Sequence, residues 1–178
     1  MDLVDLIAEK RFIGQEFLTW LWWKSEERGG VIELPGRGDI VVVLEKHMLL
    51  EVGKGESSER IICSGLQSEL QEARTGLKMG KKLEQARIQI VFNDYEFNFT
   101  FAAALMEFRS VKLPKTAEQE GNENNPEEQE GMTLERIYLF EELVKIVDEL
   151  FRLFIDLRIS PEWRDELLKI RSWVDQAN

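Results

Sequence analysis

Residues 81–113 read KKLEQARIQIVFNDYEFNFTFAAALMEFRSVKL, and the first two thirds of this stretch decide the fold. Ala86, Ile88, Ile90 and Phe92 alternate with Arg87, Gln89 and Val91, the two-residue period of a strand with one face in a core and one in water. Tyr95, Phe97, Phe99 and Phe101 then alternate with Glu96, Asn98 and Thr100. Asn93-Asp94 lies between the two runs, and such short polar side chains tolerate the left-handed backbone of a tight turn. The pattern is a β-hairpin. Four aromatic rings on one face of its second strand form a surface that must be covered, so the other elements are expected to pack onto it.

Upstream, residues 1–28 have helical periodicity. Ile13, Phe17, Trp20, Leu21 and Lys24 fall one turn apart, and Leu18, Trp22 and Trp23 extend the apolar surface around nearly the whole circumference, which predicts a helix buried on more than one side. Gly29-Gly30 stop it. Val31–Leu34, Ile40–Leu44 and Met48–Val52 are apolar runs of a meander, the first two separated by Pro35-Gly36-Arg37-Gly38-Asp39. Arg60–Cys63 is a further short strand, and Gln67–Met79 a polar helix with Leu70, Ala73 and Leu77 as its inward stripe.

Downstream of the hairpin, residues 114–131 (PKTAEQEGNENNPEEQEG) are nearly free of hydrophobic side chains and read as a flexible acidic linker. Thr133–Leu157 is the strongest helical pattern, with Phe140, Leu143, Val144, Val147, Leu150, Phe151, Phe154 and Leu157 three or four apart and Leu139, Ile146 and Leu153 as a second stripe. Such a helix crosses the aromatic sheet, pairs with a copy of itself, or both. Ser160-Pro161 opens a final helix with Trp163, Leu167, Ile170 and Val174 facing inward. The fold class expected is α+β: an antiparallel sheet, meander plus hairpin, packed against helices. Its organisation would be a core over 1–113, the linker over 114–131, and a helical segment over 132–178 that packs on the core or dimerises.

Composition narrows the function. At 178 residues and 43% hydrophobic the chain can hold one ordinary core without covalent staples. The single cysteine, Cys63, excludes an internal disulfide and a multi-cysteine metal cage. The single histidine, His47, excludes a multi-histidine zinc site and the usual nucleophile–base sets. No cofactor is implied. Asp2 and Asp5 stand where a secretory leader would be basic, and no apolar run approaches the ~20 residues a membrane helix needs, so a cytoplasmic protein without membrane contact is expected.

Net charge is −11, distributed unevenly. Residues 1–113 hold 15 Lys and Arg against 18 Asp and Glu, whereas residues 114–178 hold 8 against 16. The broad basic footprint usual in nucleic-acid binders is absent, and contact with nucleic acid would need a local patch in the first two thirds of the chain. Gly76–Lys82 (GLKMGKK) is not a phosphate-binding P-loop: it is one residue short, has Lys82 where Ser or Thr is required, and precedes a strand. Arg37-Gly38-Asp39 is ordinary turn composition, and adjacent acidic pairs such as Glu127-Glu128 and Glu141-Glu142 are solvated helix faces.

The succession over residues 60–157 resembles the C-terminal part of the recombination-associated protein RdgC family: a short strand, a polar helix running into Gly80-Lys81, a strand ending in an acidic turn, a second strand and a late apolar helix. The FLTWLWWKSE helix is similar to the one that opens this half in divergent members. The resemblance implies a sequence-independent DNA-binding protein of the nucleoid that forms ring-like homodimers around DNA and restrains RecA-type recombinases. Lys81 matches the lysine before the family's central strand, similar in position to a hole-lining DNA contact. Gln67 falls near the family's basic-residue-plus-glutamine pair, with Leu66 in place of the basic residue. The family's substantial N-terminal region has no counterpart here, which implies a fragment or a shortened relative.

Two readings follow. In the first, Lys81, Lys82 and Lys78, with Arg74, Arg87 and Gln67, contact DNA without reading sequence, and no catalysis occurs. In the second, the apolar face of Thr133–Leu157 makes the chain a protein-interaction or dimerisation module without direct DNA contact.

Overall fold

The computed structural model describes residues 3–52, 59–64, 67–115 and 126–176. Helix α1 (Leu3–Glu26) ends in a 3₁₀ turn (Glu27–Gly30), followed by β1 (Val31–Leu34), β2 (Gly38–Val52), β3 (Glu59–Ser64), α2 (Gln67–Lys78), β4 (Lys82–Phe92), β5 (Tyr95–Ala102), β6 (Glu107–Lys112), α3 (Pro126–Ile159) and α4 (Trp163–Asp175). The six strands form one antiparallel sheet in the order β1-β2-β4-β5-β6, with β3 also paired to β2. The fold is α+β, as its periodicities predict.

The hairpin of β4 and β5 forms in the expected register. Phe92 pairs with Tyr95 around Asn93, which takes the left-handed backbone at φ 52°, and Ile90 pairs with Phe97 and Ile88 with Phe99. Phe97, Phe99 and Phe101 are buried with Ala86, Ile88 and Ile90, whereas Tyr95 at the tip stays partly exposed. Each buried Phe stabilises the fold by roughly 1.5–3 kcal/mol.

Two features of the sheet depart from the sequence reading. Ile40–Leu44 and Met48–Val52 are not separate strands but one, β2, because Glu45-Lys46-His47 contains no turn former. The register on β4 shifts by two residues there, from Leu44 opposite Ile88 to Met48 opposite Ala86, so Ile40, Val42, Leu44, Met48 and Leu50 all keep facing the core. Strand β6 was not legible. Its alternation breaks at Ser110, which sits at φ 49° where pairing with β5 slips between Asn98 and Thr100.

One face of the sheet receives the helices. In α1, Phe17, Leu18, Trp20, Leu21, Trp22 and Trp23 are all buried, which confirms a helix enclosed on several sides. Gly14 permits this approach: a Cβ there would stand 2.2 Å from the Ala103 carbonyl oxygen. Phe17 packs against Phe101, Phe151 and Phe154, joining sheet, first helix and α3 in one aromatic cluster. The other face of the sheet carries Val31, Val43, Glu96 and Arg109 at exposed positions.

Helix α3 begins at Pro126, inside the stretch read as linker; residues 116–125 lie outside the described residues. A proline in the first turn gives up no helical hydrogen bond, so composition alone concealed the start. The core side of α3 is Leu139, Leu143, Ile146, Leu150 and Phe154, while Phe140 and Val144 stand at the exposed margin. Its docking is fixed by Arg37, from the β1–β2 turn. The guanidinium, 16% exposed, donates to both Glu149 carboxylate oxygens at 2.9 and 3.0 Å and to Glu142 at 2.9 Å. It also lies 5.2 Å from the Phe92 ring. The Glu149 hydrogen bond, more than the Glu142 one, holds the guanidinium protonated beyond its ordinary range, against the effect of burial.

Lys145 first and Arg37 second hold the Glu142 carboxyl below its ordinary value of 4.5. A carboxylate depressed on folding adds stability above its unfolded value and loses it as pH falls through the folded one. Arg37→Ala is therefore expected to lower the unfolding free energy by about 1–3 kcal/mol at neutral pH, with the deficit shrinking below about pH 4.5. Urea denaturation across pH measures this, and a deficit that persists undiminished in acid would remove the ion pair as its cause.

Candidate functional site

The junction of α2 and β4 holds most of the cations that the sequence singles out. Gly80, at φ 88°, ends α2: its N–H donates to the Leu77 carbonyl and that of Lys81 to the Gly76 carbonyl, each at 2.9 Å. This is a Schellman turn, in which glycine supplies the left-handed residue and both bonds satisfy carbonyls left open by the helix end. The Gly-Lys pair thus has a local structural cause. The turn directs Lys81 inward, beside Gly76, and only 5% of it remains exposed.

Lys81 is consequently largely buried, although it also lines the cleft that Lys78 and Lys82 share. Its ammonium reaches across to Glu59 on β3 at 2.7 Å and holds that carboxyl below the ordinary range, although Glu59 itself is 77% exposed. Arg74 is also engaged. It is ion-paired with Glu26, lies 4.9 Å from the Trp173 ring, and has its Nε buried without a partner. The Glu26 carboxylate further accepts the indole N–H groups of Trp22 and Trp173, each at 2.9 Å, so one acid on α1 ties α2 and α4 together. Arg87 points to the opposite side of the sheet and pairs with Glu45 at 2.6 Å. The side chain of Gln67, at the start of α2, lies outside the described residues.

Lys78 and Lys82 remain. Both are exposed, and neither forms an ion pair among the described residues. They line a cleft of 540 Å³ enclosed by α1, α2, α4 and the start of β4. Arg171 of α4 joins them on its wall, exposed and likewise without an ion pair among the described residues. The acidic residues of the cleft are Glu16, whose carboxylate is taken by Arg158 at 2.9 Å, and Asp175. Three uncompensated cations therefore face one uncompensated carboxylate, on a protein whose overall charge is −11. The cleft would attract an anion, and only locally, on a body that is acidic overall.

Arg171 and the cleft were beyond sequence reasoning because their residues come from four elements with no shared motif. Two buried polar side chains nearby, Gln15 and Glu166, are paired within the protein. Gln15 donates to Glu84, and Glu166 accepts from Trp20 at 3.3 Å and pairs with Lys24 at 2.9 Å. Among the described residues no group of three or more His, Cys, Asp or Glu is placed to hold a metal ion, and no helix is long and apolar enough to cross a membrane. His47 is exposed on β2, and Cys63 is buried on β3. Comparison with protein-family models, curated proteins and solved structures gives no match.

If Arg74 belongs to the scaffold and Lys78 to the surface, their removal has different costs. Arg74→Ala is expected to lower unfolding free energy by about 1–3 kcal/mol through the lost ion pair and ring contact, and Lys78→Ala by no more than about 0.5 kcal/mol. Chemical denaturation of the two variants provides the comparison; equal losses would erase the distinction.

Proposed function

We propose that this chain binds DNA without reading its sequence, through phosphate contacts from Lys78, Lys82 and Arg171, and carries out no chemistry on it. The observation behind this reading is the cleft itself: three cations, free of ion pairs among the described residues, gathered at one place on an acidic protein. The resemblance of residues 60–157 to RdgC supplies the association with recombination and the nucleoid of the cytoplasm. In this reading Lys81 and Arg74 are positioning residues: Lys81 joins β3 to the α2–β4 turn, and Arg74 joins α2 to α4. Arg87 serves the far side of the sheet.

Phosphate contacts release counterions, so binding must weaken as salt rises, by roughly 0.9 in log affinity per log salt for each contact on duplex DNA. Three contacts give a slope of about −3, and Lys78→Ala with Lys82→Ala reduces it to about −1. Fluorescence anisotropy of a labelled duplex across a salt series reads both values. An identical slope for the double variant, or absence of binding at low salt, would overturn the reading.

A second reading is favoured by a separate observation. The N-terminal half of α3 exposes Leu134, Ile137, Tyr138 and Phe140, and Val144 follows just beyond it, with Val111 and Leu113 beside Ile137 and Phe140 in a shallow groove. An apolar ridge of this kind suits self-association or a protein partner. Sedimentation is expected to show a dimer that Leu134→Asp with Ile137→Asp converts to monomer; a wild-type protein that stays monomeric at high concentration removes self-association.

A further inference from the structure

Phosphate contact alone needs no cavity, because cations on a convex surface suffice. Here Lys78, Lys82 and Arg171 instead surround a recess floored by Trp20, Leu77, Ile170 and Val174 and walled by Trp163. Its volume of 540 Å³ falls within the range of about 300–1,000 Å³ typical of sites that enclose a small molecule. Phe12 stands at this cleft and is 47% exposed, whereas Phe17, Trp20 and Trp22 of the same helix are essentially buried. A large ring left in water beside unpaired cations is the combination by which single-strand binding surfaces hold a base and its phosphate together.

The polar groups of the recess point the same way. Gln15 donates to Glu84, and Thr19 donates to the Gln15 carbonyl at 2.8 Å, so one amide N–H and the hydroxyl proton are directed into the protein. Apart from the Asp175 carboxylate, the recess offers mainly apolar surface and positive charge, and few groups placed to distinguish one base edge from another. A duplex cannot use such a site, since its bases are stacked inside and only groove edges and phosphates are presented. An unpaired nucleotide presents a π-face and a phosphate together.

Resting on the DNA-binding reading above, we propose that the α1–α2–α4 cleft holds an unpaired nucleotide of a single strand, its base against Phe12 and the apolar floor and its phosphates on Lys78, Lys82 and Arg171. The protein then prefers single-stranded to duplex DNA, irrespective of base identity.

The test is fluorescence anisotropy of the full chain with a labelled single strand, a blunt duplex of the same length, and a strand of that length with abasic central positions. The intact strand is expected to bind more tightly than the duplex and about 5- to 150-fold more tightly than the abasic strand, the range for loss of one stacked base. Phe12→Ala, at an exposed position, lowers affinity for the intact strand by a similar factor and leaves the abasic strand and the duplex unchanged. Equal binding of intact and abasic strands, or indifference to Phe12→Ala, overturns the base site while duplex binding with a salt slope keeps the phosphate reading. Failure to bind all three ligands overturns both.

Discussion

The packing of α1 against the aromatic face of the β4–β5 hairpin is the interaction on which the rest depends. Phe17 meets Phe101 at 5.8 Å between ring centroids, and from that contact the cluster extends through Phe151 and Phe154 to Trp163. The hydrophobic term is non-directional, but ring edges against ring faces select one arrangement among many of equal area. Gly14 sets how near α1 can lie, and α3 and α4 fill what α1 leaves open. The sheet is therefore one-sided, and its polar pairs, such as Arg87 with Glu45, occupy the other face.

The hairpin, the multiply buried first helix and the late apolar helix were legible because each is written in local periodicity. The failures have particular causes. The linker reading extended over Pro126–Gly131 because composition reports the absence of apolar side chains, which a solvated helical turn also lacks. Strand β6 was hidden by the bulge at Ser110, which breaks the alternation that strand recognition relies on. Glu45-Lys46-His47 parts two apolar runs but lacks the residues that make a turn, so the strand continues through it.

The candidate site was less legible than the fold, since a cation's availability depends on neighbours distant in sequence. Lys81, Lys82 and Lys78 look alike along the chain. The Schellman turn at Gly80 sends Lys81 to Glu59 while Lys78 and Lys82 stay in water. Arg37, read as ordinary turn composition, proves to clamp α3 through carboxylates more than a hundred positions away. Conversely, Arg171 and Phe12 carried no signal until folding placed them on one cleft.

The carboxylates that join α1 to α4 have a bearing on how the protein is made. Glu26 receives the Trp173 indole, and Glu166 receives Trp20 and Lys24, so part of the polar anchoring of the tryptophan-rich first helix comes from the final one. During synthesis from the N-terminus, the hairpin and α1 can meet while these partners are still inside the ribosome. The nascent chain passes through a stage with an unlidded aromatic surface, and closure over sequence separations this long is slow. An aromatic surface of this kind is prone to aggregate until the final helix closes over it.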